Sequence, residues 1–73
     1  MENEFKINLY EIMGTSTPAG RTSEDGEPAG DTIRNLLSDN WEKYEKIFVY
    51  FEGVVQMTRP FVDEAFAKLL ETY

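Results

Sequence analysis

The side chains in this sequence with most capacity for chemistry are carboxylates. Fourteen Asp and Glu stand against seven Lys and Arg, and the 73 residues contain neither His nor Cys. The most frequent general base, the thiolate nucleophile and the usual zinc ligands are therefore missing, and with them most enzyme classes. Acid–base catalysis would fall to paired carboxylates, and Asp63 and Glu64 are adjacent. Neighbours on a helix point about 100° apart, so this pair suits a first helical turn, where the dipole favours negative charge, better than catalysis. Ser23-Glu24-Asp25-Gly26 lacks the alternating ligands and distal glutamate of a calcium loop. Gly14, Gly20, Gly26 and Gly30 have neither the spacing nor the following lysine of a phosphate-cradling loop, and read as turn and cap glycines. Hydroxyls at Thr15, Ser16, Thr17 and Thr58 fall where turns and caps use them, although each is also a possible phosphorylation site. The expectation is a protein with no catalytic residues, no metal and no cofactor.

One constellation passes this filter. Glu27, Asp31 and Glu42, with Asn35 and Ser38 between them, fall along one line of a helix and its continuation, and Glu24, Asp25 and Asp39 flank that line. Arg34 and Lys43 dilute the ridge, and a plain solvated helix face is the competing reading. The expected partner-contacting residues are Glu24, Asp25, Glu27, Asp31, Asp39, Glu42 and Glu45, followed by Glu52 and Glu71. The formal net charge is -7, which disfavours nucleic acid and anionic lipid as direct partners and favours a basic protein surface. Such a charge also keeps a small protein soluble, so charge alone does not settle function.

The elements that must position these residues follow from periodicity. Glu4 to Ile12 alternates, with Phe5, Ile7 and Leu9 on one face, and predicts a first strand. A turn-rich stretch from Gly14 to Gly20 follows, and Arg21-Thr22 is expected to return briefly as a second strand. Ala29, Ile33, Leu36 and Leu37 recur at helical spacing, predicting a helix from Ser23 or Asp25 to about Ser38. Lys46 to Phe51 is a near-continuous β-branched and aromatic run, expected as a central strand buried on both faces. Thr58 and Pro60 mark the start of a second helix, whose stripe is Val62, Phe66, Leu69 and Tyr73, widened by Phe61 and Ala65. The predicted fold is a single minimal two-layer α/β domain over residues 1–73, in the order β-(β)-α-β-α, with two helices on a small mixed sheet.

A chain of this size buries only about 60% of its unfolded surface, so the core is thin. Tyr10, Trp41, Tyr44 and Tyr50 cannot all be interior in it, although core packing is the expectation for Trp41 and Tyr50. Nothing approaches the ~18 consecutive apolar residues of a membrane span, and the first four residues are not those of a signal peptide. The cytoplasm is the expected compartment. Open sheet edges allow a monomer or a weak dimer.

Gly20-Arg21, Gly26-Glu27-Pro28-Ala29-Gly30-Asp31-Thr32-Ile33-Arg34, Lys46 to Phe51 with Gly53-Val54, and Phe61-Val62-Asp63-Glu64-Ala65-Phe66 occur in that order. Together, over residues 14–70, they resemble the bacterial STAS-like domain family of unknown function. That family's pattern is a Gly-Arg, a Gly-x-x-x-Gly-x-x-x-Arg opening a helix, an aliphatic strand ending near Gly-Val, and a Ser-Phe-x-x-Glu-x-Phe helix. The sequence departs from it at Pro60, where the pattern has serine, and at Ala67-Lys68 in place of Gly-Gly. The resemblance implies a βαβα STAS-type scaffold for protein contact, often with ATPase-type or kinase partners, here through Thr58, Arg59 and Asp63. By size and charge the chain is also similar to small phage anti-CRISPR proteins that mimic DNA with carboxylates. That similarity implies an inhibitor in the host cytoplasm that blocks DNA binding by a type I CRISPR surveillance complex. It is the leading expectation, and the STAS-like regulatory module is the alternative.

Overall fold

A computed structural model describes residues 3–24 and 26–72; Asp25 of the expected contact set and Tyr73 of the expected stripe lie outside the described residues. The chain is a small mixed α/β domain. Strand β1 (Glu4–Asn8) is followed by helix α1 (Leu9–Met13), helix α2 (Gly30–Asn40), strand β2 (Lys46–Tyr50) and a last helix, α3. Helix α3 has three parts, α-helical over Arg59–Val62, π-helical over Asp63–Ala67 and α-helical again over Lys68–Thr72. Strands β1 and β2 pair in parallel, with Glu4 opposite Lys46 and Asn8 opposite Tyr50. The core is one cluster of Ile7, Leu9, Met13, Ile33, Leu37, Phe61, Ala65 and Leu69. Burying each of its larger side chains stabilises the fold by about 1.5–3 kcal/mol.

Several expectations are corrected by local hydrogen bonding. The first strand ends at Asn8, not Ile12, because the Asn8 side chain accepts the backbone N–H of Glu11 at 3.1 Å and caps α1. Leu9 and Met13, one helical turn apart, are then both buried. Arg21-Thr22 forms no strand; the segment holds only an isolated bridge between Glu24 and Glu27. Its backbone serves α2 instead. The Gly20 and Arg21 carbonyls accept the N–H groups of Gly30 and Asp31 at 3.0 and 2.9 Å, and Thr32 Oγ1 accepts the Ala29 N–H at 3.1 Å. Helix α2 therefore begins at Gly30, well after Ser23 or Asp25, with its first donors satisfied by the preceding loop rather than by another turn of helix.

The sheet is parallel and two-stranded, not mixed, so both strands are edges and three helices are present among the described residues instead of two. Residues Lys46, Phe48 and Tyr50 of β2 are exposed while Ile47 and Val49 are half-buried, so β2 is covered on one face only. Tyr50 is 45% exposed, contrary to the core role expected of it, whereas Trp41 packs partly buried against the core.

The stripe of α3 is also displaced. Phe61, Ala65 and Leu69 are the buried residues, and Val62 and Phe66 are half-buried. In the π turn the N–H of Lys68 reaches back to the Asp63 carbonyl, one residue further than in an α-helix. Glu64 and Ala65 are both buried within that wider turn. Thr58 Oγ1 accepts the Phe61 N–H at the helix start, and Pro60 sits in the first turn where its missing donor costs nothing.

Helices α2 and α3 lie close together at Gly30, where a Cβ would lie 2.7 Å from the Glu64 Cβ and 2.9 Å from the Phe61 carbonyl oxygen. One of those contacts is to backbone, which cannot swing aside. Gly30→Ala is expected to lower stability by about 1–3 kcal/mol, read as a lower urea midpoint at unchanged slope; an unchanged midpoint would show that the helices do not pack this closely.

Candidate functional site

Arg21, Arg34 and Lys68 converge on the Asp63 and Glu64 carboxylates of α3. Glu64 is 6% exposed and is the buried charged residue among those described. Its carboxylate pairs with the Arg34 guanidinium, lies 3.0 Å from Lys68 Nζ and 3.9 Å from Arg21 Nη1. Arg34 comes from the second turn of α2, Arg21 from the loop that caps α2, and Lys68 from the next turn of α3 itself. Three cations around one carboxylate offset its loss of hydration, and because Arg21, Arg34 and Lys68 are themselves about a third to a half exposed, losing one of them costs less than breaking a fully buried pair. Arg21 also donates to Asp63, whose side chain stays partly exposed.

The hydrogen bond from Arg21 holds the Asp63 carboxyl below its ordinary value of 3.8, against a smaller opposing effect of desolvation, and the positive charges of Arg21 and Lys68 add to the lowering. Asp63 and Glu64, adjacent in sequence, thus serve a structural ion-pair cluster. They do not face each other across a shared proton, and the acid–base reading of this pair gains no geometric support.

The expected ridge is redistributed. Asp31 is half-buried, and its carboxylate accepts the Ser23 N–H at 3.0 Å and, more weakly, the Ser23 hydroxyl at 3.4 Å, so it holds the loop onto α2. Glu24 and Glu27 are exposed before the N-terminus of α2, and Asp39, Glu42 and Glu45 are exposed at and beyond its C-terminus. The two groups stand roughly one helix length apart, about 16 Å for eleven residues. Glu52 and Glu71 are exposed elsewhere. Among the described residues Lys6, Arg21, Arg34 and Lys68 are held in ion pairs by Glu4, Asp63 and Glu64. The exposed carboxylates of the two groups take part in none of them. A negative surplus therefore stays on the surface at both ends of α2, offset in part at the C-terminal end by the exposed Lys43 and Lys46.

Sequence reasoning missed Glu64 and an apolar cleft. Leu37, Trp41, Val49, Phe66 and Leu70 line the cleft, with Glu45 as a charged side chain in its wall, and its volume is about 340 Å³. The local signals for Glu64 were Lys68 four residues later and Phe61 three residues earlier, at helical spacing on one face; Arg34, thirty residues away, gave none. No group of three or more acidic side chains among the described residues is arranged to hold a metal ion, and none of their helices is long and apolar enough to cross a membrane.

Comparison with protein-family models, with curated proteins and with solved structures finds no match. The site is therefore read from its own geometry.

Because the folded Asp63 carboxyl titrates below the unfolded one, its contribution to stability is present above the unfolded value and is lost as pH falls through the folded value. Thermal melts between neutral pH and about pH 3 should show the wild type losing stability below about pH 4, and Asp63→Asn losing less over the same window. Identical acid profiles would mean that the Arg21–Asp63 pair does not stabilise the fold.

Proposed function

We propose that this chain is a non-catalytic binding domain whose partner is a basic protein surface that otherwise holds nucleic acid. The observation that carries this reading is the partition of charge. Arg21, Arg34 and Lys68, three of the seven cations, are drawn into the cluster around Glu64, and Glu24, Glu27, Asp39, Glu42 and Glu45 are left exposed and outside the ion pairs, with Lys43 and Lys46 exposed beside the last two. The placement of Asp39 and Glu42 adds to it. They stand at the negative end of the α2 dipole, whose last turn has no basic residue, where cations are ordinarily favoured. Carboxylates that oppose their own helix are consistent with selection for contact rather than for stability. A Lys- and Arg-rich surface would attract such a domain by long-range steering and would then be closed to DNA. In its most concrete form, suggested by size and charge, the chain is a phage or mobile-element inhibitor acting in the host cytoplasm on the DNA-binding surface of a type I CRISPR surveillance complex.

The scaffold is read as STAS-like. Gly20, Arg21, Gly30, Arg34, Phe61, Asp63 and Glu64, which carry the resemblance to that family, meet at the contact of α2 with α3. Their convergence supports a common structural reason for the motif. It also favours the second reading, a regulatory module for an ATPase or kinase partner, because Met57, Arg59, Val62 and Asp63 line a shallow depression at the start of α3. In that reading Thr58 contacts the partner as the cap of the helix, since Pro60 has no hydroxyl to modify.

The purified chain is expected to bind a type I surveillance complex and displace target DNA, more weakly as salt rises. Replacing Asp39 by Asn and Glu42 by Gln together should weaken that binding while raising stability by about 0.3–1 kcal/mol, since both changes remove charge from the negative end of a helix. Undiminished binding by the double variant would refute the assignment of these carboxylates. Binding that is lost only with Arg59→Ala would transfer the contact to the regulatory surface.

A further inference from the structure

An apolar cleft opens between the C-terminal ends of α2 and α3. Its floor is core, Leu37 and Leu69, but its walls are Trp41, Val49, Phe66 and Leu70, and Leu70 is 66% exposed. An apolar recess of about 340 Å³ is at the lower bound of those that take up small ligands, and is ample for one or two large side chains. Its surroundings restrict what those side chains can be attached to. Glu45 lines the cleft, Asp39 stands in the last turn of α2, Glu42 stands on the α2–β2 connection, and Glu71 is exposed next to Leu70; these four acids outnumber Lys43 and Lys46, the exposed cations next to Glu42 and Glu45. The carbonyl end of α2 points negative charge the same way.

We propose that this cleft is a docking site for an amphipathic basic segment of a partner protein. A large apolar side chain of the segment enters between Trp41 and Leu70, and flanking Lys or Arg pair with Glu42, Glu45 and Glu71. The occupant is committed by charge complementarity: an acidic or neutral amphipathic segment fits the recess equally well but meets carboxylates on both sides. The mode is a helix laid in a groove, with anchors at i, i+3 or i+4. A second copy of this chain is a poorer occupant, since it carries a net charge of -7 to an acidic rim. This inference rests on the reading of the chain as a binder of basic protein surfaces and gives that reading an apolar anchor, without which exposed ion pairs add little affinity.

Trp41 is the single tryptophan of the chain, so its fluorescence reports on the cleft directly. The probes are two synthetic tryptophan-free helical peptides with leucines at i, i+3, i+4 and i+7, one flanked by lysines and the other by glutamates. The lysine peptide is expected to shift Trp41 emission to the blue, saturably and less strongly at high salt, and the glutamate peptide to leave it unchanged. Leu70→Ser, at an exposed position that should not affect folding, should weaken the lysine peptide roughly tenfold. Glu42→Gln with Glu45→Gln should weaken it by a similar factor, most at low salt. Equal response to both peptides, or no response, overturns the proposal. So does a blue shift on concentrating the protein alone, which would assign the cleft to a second copy. If the surveillance complex binds and Asp39→Asn with Glu42→Gln weakens that binding while Leu70→Ser does not, the cleft assignment fails and the acidic contact stands.

Discussion

Glu64 is a carboxylate inside a domain too small to carry one without consequence. Burying it requires cations, and the chain supplies Arg34 from α2, Lys68 from α3 and Arg21 from the loop that caps α2. Those three contacts tie together the segments that the thin core alone would hold weakly. They also impose conditions on their neighbours. Gly30 must lack a side chain so that α2 can lie against Glu64 and the Phe61 carbonyl, and Glu64 and Ala65 are both buried within the π turn. The loop from Gly20 to Ala29 must fold back over the start of α2, which the Asp31 carboxylate and the Gly20 and Arg21 carbonyls accomplish. Replacing this arrangement by packed apolar residues could be as stable, as buried ion pairs often are, but removing any one partner is not neutral.

The same arrangement shapes the surface. Every cation held near Glu64 is one fewer to neutralise the exposed acids, so a structural ion-pair cluster sharpens the acidity of both ends of α2. The sheet contributes little to containment. Two parallel strands leave both edges unpaired and one face uncovered, with Phe48 and Tyr50 stacked at 6.4 Å on the open side. Parallel sheets are ordinarily covered on both faces, and here α2 and α3 cover one. Exposed aromatics, open edges, unpaired carboxylates and an apolar cleft are all features that a partner could use, and together they fit a protein that functions by contact.

How much of this was legible in the sequence depended on whether local signals agreed. Thr58 and Pro60 gave the start of α3 correctly because cap and ring constraint point to the same residue. The strand Lys46–Tyr50 was recognisable from its β-branched and aromatic run, but its burial was not, because a continuous apolar run does not say how many strands surround it. At Asn8 two signals competed. Alternation extended the strand, while Asn8 with Glu11 three residues later is a helix-start pattern, and the cap prevailed. The displaced stripe of α3 was not readable from a period of 3.6, since the π turn changes the period where Glu64 enters the core. The ridge was drawn from composition and spacing, and hydrogen bonding removed Asp31 from it; no periodicity reports that Ser23 lies within reach of that carboxylate.

The residues of the α2–α3 contact hold the domain, and those at the C-terminal ends of α2 and α3 are the ones proposed to meet a basic partner. Amide hydrogen exchange of the chain, free and bound to a DNA-free type I surveillance complex, tests that separation most directly. Protection gained over residues 37–45 and 69–71, with residues 30–34 and 61–65 unchanged between the free and bound chain, is the predicted result. Protection gained only over residues 57–63 would contradict it and place the contact at the start of α3.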